Sequence, residues 1–586
     1  MKFRSLAIAF GAGLLGPCII SSAAGPDGTT ITGPVATTSP LRDMAHGYPF
    51  NATPMDFAKL GYVEEEFILE GMASRYNTPP MATGSIIDGN HPYKTRIVVR
   101  RPKSPSRFNG TAIVEWTNVS QGHDNEVDWF QSGAHFVRAG YAWIGVSAQR
   151  VGVDALKQWS PSRYGSLDVS EGGAITNDAL SYDIFAAAAR AVRPSARSGR
   201  PEPVEGRGAA GTAVRPAGPD VMGGLKVERL IATGHSQSAG RLYTYFTSVH
   251  PLAPVFDGVV LHGGGGALRP DLDVKVWKFL SETDVSGQTR QPDTDRLRTW
   301  EVAGTSHLDA QLSRGLGSVG LLAAGGAPVD AWPKGATISG GGPGIGGFQT
   351  ASTAANDGCA KPIFSRVPSS YVQNALYDHF AQWIKARTPP PTAPPIEMRD
   401  ARPGEVVPAG PGGPGRGPGP APGGNAGGNG GGRGGEAPGP TAAGRRGEAP
   451  EGAPAGARRG GDGAPGAGAG ARGGEAPAAP RRGGPPIVRV IARDEFGNAL
   501  GGIRLSQHAV ATATNTGLNT GGMFCGLLGS HEPFDAARLA SLYPTHDGYV
   551  AKVKEVTAKN LKWGYLVKAD ADATIEDAKR ADIGKR

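Results

Sequence analysis

A serine flanked by small residues carries the clearest chemical signal in this 586-residue chain. Ser236 lies in the segment G-H-S-Q-S-A-G (234–240), directly after the strand-like run Val227–Thr233 and before a run of helical character. A serine in a sharp strand-to-helix turn projects its hydroxyl above the sheet, and Gly234 lets the two backbones approach closely. Ser238 stands where a glycine is usual, but its side chain is small. We therefore expect Ser236 to be a nucleophile, with a helix-capping serine as the simpler alternative.

Two later strand ends supply a base and an acid, which a serine hydroxyl needs before it can attack. One strand-like run ends just before Glu282 and Asp284, and the next ends just before His307. The order serine, acid, histidine is the one expected for this arrangement. We expect His307 to take the Ser236 proton, while the acid fixes its tautomer and stabilises the imidazolium. Asp284 is favoured as the acid, and Glu282 stays open as the alternative.

The negative charge that develops on the attacked carbonyl needs two N–H donors. One should be the amide after the nucleophile, Gln237. The other should come from the loop after an earlier strand, where we favour the amide of Asn118 or Thr117; an ordinary turn role is the alternative for Asn118. The run H-G-G-G-G from His262 looks like an oxyanion loop but follows Ser236 in the chain. We therefore predict that it is a flexible strand-end loop near the pocket.

No motif for a metal or a nucleotide is found: the chain lacks H-E-x-x-H, C-x-x-C, a P-loop and a strand-linked G-x-G-x-x-G. His123 and His135 show no ligand spacing, and His235 is expected to pack within the turn. The predicted chemistry uses no cofactor and no metal.

Strand-like and helix-like runs alternate along the chain. Alternating apolar strands and helices predict an α/β fold with a mainly parallel sheet covered by helices on both faces. No helix separates the first two strands, so an antiparallel start is expected. The strand-like runs are Phe67–Ala73, Thr95–Arg100, Ala112–Trp116, Tyr141–Val146, Val227–Thr233, Gly258–His262, Val274–Leu280 and Thr299–Ala303, and the helix-like runs are Val127–Ala139, Ala179–Val192 and Ser238–Val249.

Composition separates one segment from the rest. Residues 402–486 contain 31 Gly and 16 Pro in 85 positions. The segment has too few apolar side chains to offset the conformational entropy that it would lose on folding. We predict a long disordered Gly/Pro/Arg-rich insert there. The net charge of +8 is accounted for by this insert, by residues 193–220, and by Lys2 and Arg4. The remaining chain is formally neutral, which argues against a nucleic-acid partner.

The N-terminus, residues 1–24, has the pattern of a secretory signal peptide. Basic residues precede the apolar stretch Leu6–Ile20, which is short for a membrane span, and small residues follow it. We expect cleavage after Ala23 or Ala24, a periplasmic or extracellular location, and no stable membrane span in the mature chain. An uncleaved anchor is the alternative.

Several further motifs resemble those of an alpha/beta-hydrolase-domain family of secreted bacterial proteins with a G-H-S-Q-S nucleophile elbow. The resemblance covers most of the chain except 1–40, 193–220 and 402–486. It implies the alpha/beta-hydrolase fold and carboxylic-ester hydrolysis, and it does not fix a substrate. The motifs are V-E-W-T-N-V-S (114–120), G-V-S-A-Q-R-V-G-V (145–153), G-H-S-Q-S-A-G-R-L (234–242), S-E-T-D (281–284), E-V-A-G-T-S-H (301–307), G-G-I-R-L (501–505) and L-Y-P-T (542–545).

Two cysteines remain after signal removal, Cys359 and Cys525, which suggests one disulfide in an oxidising compartment; two unpaired thiols are the alternative. The bridge would make residues 487–586 part of the same domain as the hydrolase core at 25–401, rather than an independent appended domain. Within that core, residues 193–220 lack apolar periodicity and are predicted to be a surface insertion.

The sequence thus predicts a secreted serine esterase that acylates Ser236 from a small-molecule or glycan-linked ester. Two alternatives stay open. One is an acyltransferase that uses the same three residues, and the other is a non-catalytic binding protein on a hydrolase fold.

Overall fold

The computed structural model describes residues 23–24, 28–41, 43–193, 219–287, 290–313, 358–403, 405, 488–521 and 525–585. Most of the predicted signal peptide, of the predicted surface insertion at 193–220 and of the predicted insert at 402–486 lies outside the described residues. These three predictions stay predictions.

A ten-stranded sheet forms the centre of the fold, in the order β1-β2-β3-β4-β6-β5-β7-β8-β9-β10. Neighbours from β1 to β4, and the pair β4–β6, are antiparallel, whereas β6, β5, β7, β8, β9 and β10 run parallel. The strands are β1 (Ala23–Ala24), β2 (Thr30–Thr32), β3 (Tyr62–Asn77), β4 (Ser85–Pro102), β5 (Thr111–Trp116), β6 (Ala142–Val146), β7 (Arg229–His235), β8 (Gly258–His262), β9 (Lys275–Ser281) and β10 (Leu297–Val302). The predicted parallel sheet with an antiparallel start is confirmed.

Helices cover both faces of the sheet because side chains alternate along its buried strands. On β8, Val259 and Leu261 join the core beneath one layer, while Val260 joins the core beneath the other. The helices described are α1 (Phe57–Leu60), α2 (Val127–Ala139), α3 (Arg150–Trp159), α4 (Pro161–Tyr164), α5 (Ser181–Val192), α6 (Gln237–Thr244), α7 (Ser369–Ala386), α8 (Ser506–Ala509), α9 (Cys525–Leu528), α10 (Ala536–Leu542), α11 (His546–Lys562) and α12 (Lys568–Arg580).

Boundaries differ from the sequence-based ones at two places that matter. The first two predicted strands extend into the long hairpin β3–β4. The predicted helix Ser238–Val249 begins one residue earlier and changes after Thr244 into a π-helical turn, Tyr245–Val249. A π turn widens a helix locally, so the chain after α6 leaves the sheet along a different path from a regular helix.

The C-terminal segment extends the sheet at its β10 edge. Ile503 accepts a hydrogen bond from Ala303 N at 3.0 Å and donates one to Glu301 O at 2.8 Å. Two short strand pairs add to this region, β11 (Met398–Asp400) with β12 (Arg489–Ile491), and β13 (Ala513–Thr516) with β14 (Ser530–Pro533).

The described residues up to Glu405 and from Arg489 onward fall in one compact unit. The second unit, Pro420–Val488, lies outside the described residues except for Val488. A domain shared by residues 25–401 and 487–586 would require both this grouping and the contacts at β10.

Candidate active site

Ser236 occupies the turn between β7 and α6. Its backbone has φ +59° and ψ −115°, a conformation that non-glycine residues seldom adopt and that must be held by its surroundings. The Ser236 amide donates to His262 O at 2.8 Å, which fixes the turn to the neighbouring strand. A Cβ on Gly234 would lie 2.9 Å from Ser238 Cβ, so the missing side chain makes room for the buried Ser238.

His307 and Asp284 are joined by a hydrogen bond of 2.7 Å between Nδ1 and Oδ1, and both side chains are buried. The other carboxylate oxygen of Asp284 accepts from the Ser281 amide at 2.9 Å and from the Ser281 hydroxyl at 2.6 Å. Burial alone would raise the pKa of Asp284. The adjacent His307 ring and the Ser281 donors outweigh burial and lower that pKa below its ordinary value. Asp284 therefore stays ionised beside His307.

Glu282, the alternative acid, points elsewhere. Its Oε1 forms an ion pair with Arg493 at 2.7 Å, and its Oε2 accepts from the Gly304 amide at 2.8 Å. The carboxylate thus ties the C-terminal segment to the loop after β10, and Asp284 alone of the two contacts the His307 ring.

The loop that was predicted to complete an oxyanion hole is held by side-chain contacts. The Asn118 amide donates to Asn125 O at 2.9 Å, so the prediction that it points at an oxyanion is wrong: this donor is already used. Asn118 Nδ2 instead donates to His235 O at 2.8 Å and ties the loop to the turn at Ser236. The Thr117 hydroxyl lies 2.9 Å from Asp124 Oδ1 and from Val146 O. Of the predicted donors, the amides of Gln237 and Thr117 remain.

The glycine run after His262 packs against the site. A Cβ on Gly263, whose φ is +62°, would lie 3.1 Å from His307 Cε1, and a Cβ on Gly264 would lie 3.0 Å from Ser236 O. Two consecutive glycines therefore touch the histidine and the serine, which places both residues around one short stretch of backbone. The prediction of a flexible loop misses this role, because here the glycines provide close approach.

Ser236 and His307 are not joined by a hydrogen bond in the part of the chain that the structure describes. Catalytic hydrogen bonds are often long before a substrate binds and tighten in the complex. The structure thus brings together His307 and Asp284 directly, and brings Ser236 to the same glycine pair.

Three histidine rings pack against one another beside the site. The His235 ring centroid lies 4.3 Å from that of His307 and 4.4 Å from that of His262. Burial, followed by repulsion from His307 and His262, lowers the pKa of His235 well below its ordinary value. A neutral His235 ring can pack against His307 without opposing a positive charge on it. His262, at the far end of this cluster, contacts Asp128 Oδ1 through its Nδ1 at 3.2 Å.

The C-terminal segment holds the loops that carry the acid and the histidine. The Thr283 hydroxyl donates to Gly517 O and lies 3.1 Å from the His307 amide. The Leu308 amide donates to Leu527 O at 3.0 Å, two residues beyond Cys525. Cys525 is disulfide-bonded to Cys359. Residues more than 200 positions later in the chain thus contact both loops.

The comparisons with known proteins give a family. A family model described as "Alpha/beta hydrolase domain" matches residues 31–210 and 208–576, which is most of the chain. The chain belongs to this family. By family it is a hydrolase. The resemblance to an alpha/beta-hydrolase family that the motifs indicated is therefore confirmed. No curated protein matches the chain.

Solved structures resemble this alpha/beta hydrolase only distantly. A Xanthomonas campestris protein, XC6422, described as an a/b serine hydrolase without lid, is 14% identical, with 43% of this chain and 93% of that chain covered and a TM-score of 0.22. A CE15 glucuronoyl esterase from Teredinibacter turnerae is 10% identical, with 39% and 59% covered and a TM-score of 0.20. Likenesses this weak carry no argument about the site.

The described residues of this hydrolase contain neither a metal-binding cluster nor a helix that could span a membrane. Among these residues, no group of three or more His, Cys, Asp or Glu side chains is arranged to hold a metal ion. Over the same residues, no helix has both the length and the apolar character needed to cross a membrane.

Gln149 is a site residue whose contacts could not be read from sequence. The side chain is buried, and its Oε1 accepts from Trp116 Nε1 at 3.0 Å and from Gln237 Nε2 at 3.1 Å. Its Nε2 donates to Asp178 Oδ2 at 3.1 Å. Gln149 thereby holds Gln237, whose amide is an expected oxyanion donor. The motif S-A-Q-R marks the segment, but only the fold shows which residues it touches.

Replacing each acid by its amide should separate their roles. Asp284→Asn removes the charge that orients and stabilises a protonated His307, so kcat/KM on a soluble aryl ester should fall on the order of 10⁴-fold. Glu282→Gln keeps the shape and loses the Arg493 ion pair, so it should lower the melting temperature and cost less than about tenfold in kcat/KM. A larger activity loss in Glu282→Gln would contradict the assignment.

Gly517→Ala tests whether the C-terminal segment positions the two loops. Its Cβ would lie 2.4 Å from Thr283 N and 2.5 Å from Thr305 O, and both are backbone atoms that cannot turn aside. The acid and histidine loops would have to separate, and we expect kcat/KM to fall at least roughly 100-fold, as a displacement of about 1 Å can produce. The control is Gly240→Ala on α6, where nothing lies within 4 Å. Equal activity in the two variants would show that the segment does not position the loops.

Proposed function

We propose that this hydrolase is a serine esterase in which Ser236, His307 and Asp284 form the catalytic triad. The observation that carries the proposal is the buried 2.7 Å hydrogen bond between His307 and Asp284, beside a serine held in a strained strand-to-helix turn. Nothing in a stable core requires an ionised carboxylate paired with an imidazole next to such a turn. Strained backbones of this kind cluster at active sites.

In the acylation step, His307 Nε2 takes the proton of Ser236 as Oγ attacks the ester carbonyl. The amides of Gln237 and Thr117 stabilise the oxyanion that forms. Asp284 stabilises the imidazolium, and the proton then goes to the departing alkoxide, which leaves as the alcohol. The C–O ester bond breaks, and the acyl group stays on Ser236.

In the deacylation step, His307 removes a proton from a water molecule that attacks the acyl-enzyme. The same two amides stabilise the second oxyanion, and His307 returns its proton to Ser236 Oγ as the carboxylic acid departs. Every proton is thus passed through one histidine, which the carboxylate keeps in the required tautomer.

We further propose that the enzyme is exported and acts on small-molecule or glycan-linked esters. The signal-like pattern of residues 1–24 supports export, and the disulfide between Cys359 and Cys525 is a bond that persists in oxidising compartments. The substrate class follows the esterase proposal, and the family alone does not choose among esters.

Labelling with a fluorophosphonate tests the proposal before a substrate is known. The reagent should phosphonylate Ser236 selectively, because His307 and Asp284 activate only that hydroxyl, and peptide mapping by mass spectrometry should recover the adduct on the peptide that contains it. Ser236→Ala should abolish labelling, and His307→Gln should slow it on the order of 10³-fold or more. The matched control is Ser238→Ala, which should still be labelled. An adduct on another serine, or undiminished labelling of Ser236→Ala, would overturn the triad.

A further inference from the structure

Lys278 is a buried cation that the proposed mechanism does not use. It lies on β9 with only 3% of its surface exposed. Its ammonium donates to Gly266 O at 2.6 Å, and no carboxylate among the described residues lies within ion-pair distance of it. Lysine is almost never fully buried unless it is paired, since burying an uncompensated charge is costly. Lys278 is thus an exception: it is buried, and its ammonium contacts a carbonyl oxygen instead of a carboxylate.

A cavity of about 350 Å³ lies at Lys278. Its apolar wall consists of Leu280, Pro292, Ala393, Pro394 and Pro395, and Pro394 and Pro395 are exposed at its rim. None of the residues that line it belongs to the proposed triad. A volume of this size is within the range of small-molecule pockets, which combine apolar walls with a few polar groups.

The charges that face the cavity from other elements are already paired. Arg290 binds Glu301 through two hydrogen bonds of 2.8 and 2.7 Å. Arg298 on β10 pairs with Asp293, which also accepts from the Thr299 amide at 2.9 Å. Lys278 is thus left as the one lining cation without a counter-ion among the described residues.

We propose that this cavity binds a small organic acid, with its carboxylate on the Lys278 ammonium and its apolar body against the proline-rich wall. A monoanion is favoured over a dianion because Asp293 and Glu301 also line the cavity and would repel extra negative charge. A bare inorganic ion would make no use of the apolar wall, so an organic acid is the preferred occupant. The site is separate from the proposed catalytic residues and does not depend on the esterase proposal.

The affinity of the cavity for a carboxylate should depend on pH. Burial lowers the pKa of Lys278 to about 8, and a carboxylate needs the protonated amine. The other charged side chains around the cavity are the Arg290–Glu301 and Arg298–Asp293 pairs. Affinity should therefore be constant between about pH 6 and 7, where the ligand carboxylate is ionised, and weaken roughly tenfold per unit above about pH 8.

Calorimetric titration of the full chain with sodium benzoate, at constant ionic strength and pH 7, tests the site. Wild type should bind saturably. Lys278→Met keeps the length of the side chain and removes its charge, so affinity should fall at least tenfold. Lys275→Met, on the same strand but partly exposed over the Trp383 ring, is the matched control and should bind as wild type does. Inorganic phosphate should bind more weakly than benzoate.

A second measurement needs no variant. Trace acetylation with acetic anhydride, followed by peptide mapping, reports the reactivity of each lysine, and benzoate should protect Lys278 and leave Lys275 unprotected. Failure of benzoate to bind wild type, equal affinity in Lys278→Met, or equal reactivity of Lys278 with and without benzoate would each overturn the proposal. Tighter binding of phosphate than of benzoate would overturn it as well.

Discussion

The hydrogen bond between His307 and Asp284 is the contact that the rest of the site is arranged to preserve. It joins the ends of β9 and β10, and parallel pairing of these strands brings the two loops to one edge of the sheet. His307 on one side and two hydrogen bonds from Ser281 on the other together lower the pKa of this buried carboxylate and keep it ionised. A charge buried there would be costly without these donors. In the proposed mechanism this one bond determines where the base points.

Residues of the C-terminal segment, distant in sequence, keep the two loops in place. Ile503 continues the sheet beyond β10, Gly517 approaches the backbone of both loops, and Leu527 accepts from the residue that follows His307. Glu282 adds an ion pair to Arg493 and a hydrogen bond to the amide of Gly304. The glycine at position 517 allows contact at distances that any Cβ would prevent. In this view the C-terminal segment is part of the proposed catalytic apparatus, although it supplies none of the three reacting side chains.

Local patterns made the fold and the strand-to-helix turn at Ser236 predictable. A strand, a tight turn and a helix around Ser236 lie within about twenty residues, and alternating apolar runs indicated a parallel sheet. The choice between Asp284 and Glu282 could not be made in this way. Both follow the same strand, and only the turn that begins at Asp284 directs one carboxylate to the histidine.

Contacts that no local sequence pattern announces explain what sequence reasoning missed or judged wrongly. The Asn118 amide is used by Asn125 seven residues later, through a bridge that no periodicity announces. His235 was expected to pack within the turn; what no local pattern shows is that the β7–β8 register pairs it with His262 and that its ring lies between those of His262 and His307. Gln149 follows β6 and Gln237 follows β7, so the hydrogen bond between their side chains also depends on the order of strands in the sheet.

The most direct test of the central contact is the downfield proton NMR spectrum of the full chain. A proton held between an imidazole Nδ1 and a carboxylate resonates far downfield, and its loss in His307→Gln assigns it. We expect a resonance that is present in wild type, lost in Asp284→Ala and retained in Glu282→Gln. Survival of the resonance in a folded Asp284→Ala would contradict the pairing on which the proposed mechanism depends, as would its loss in a folded Glu282→Gln.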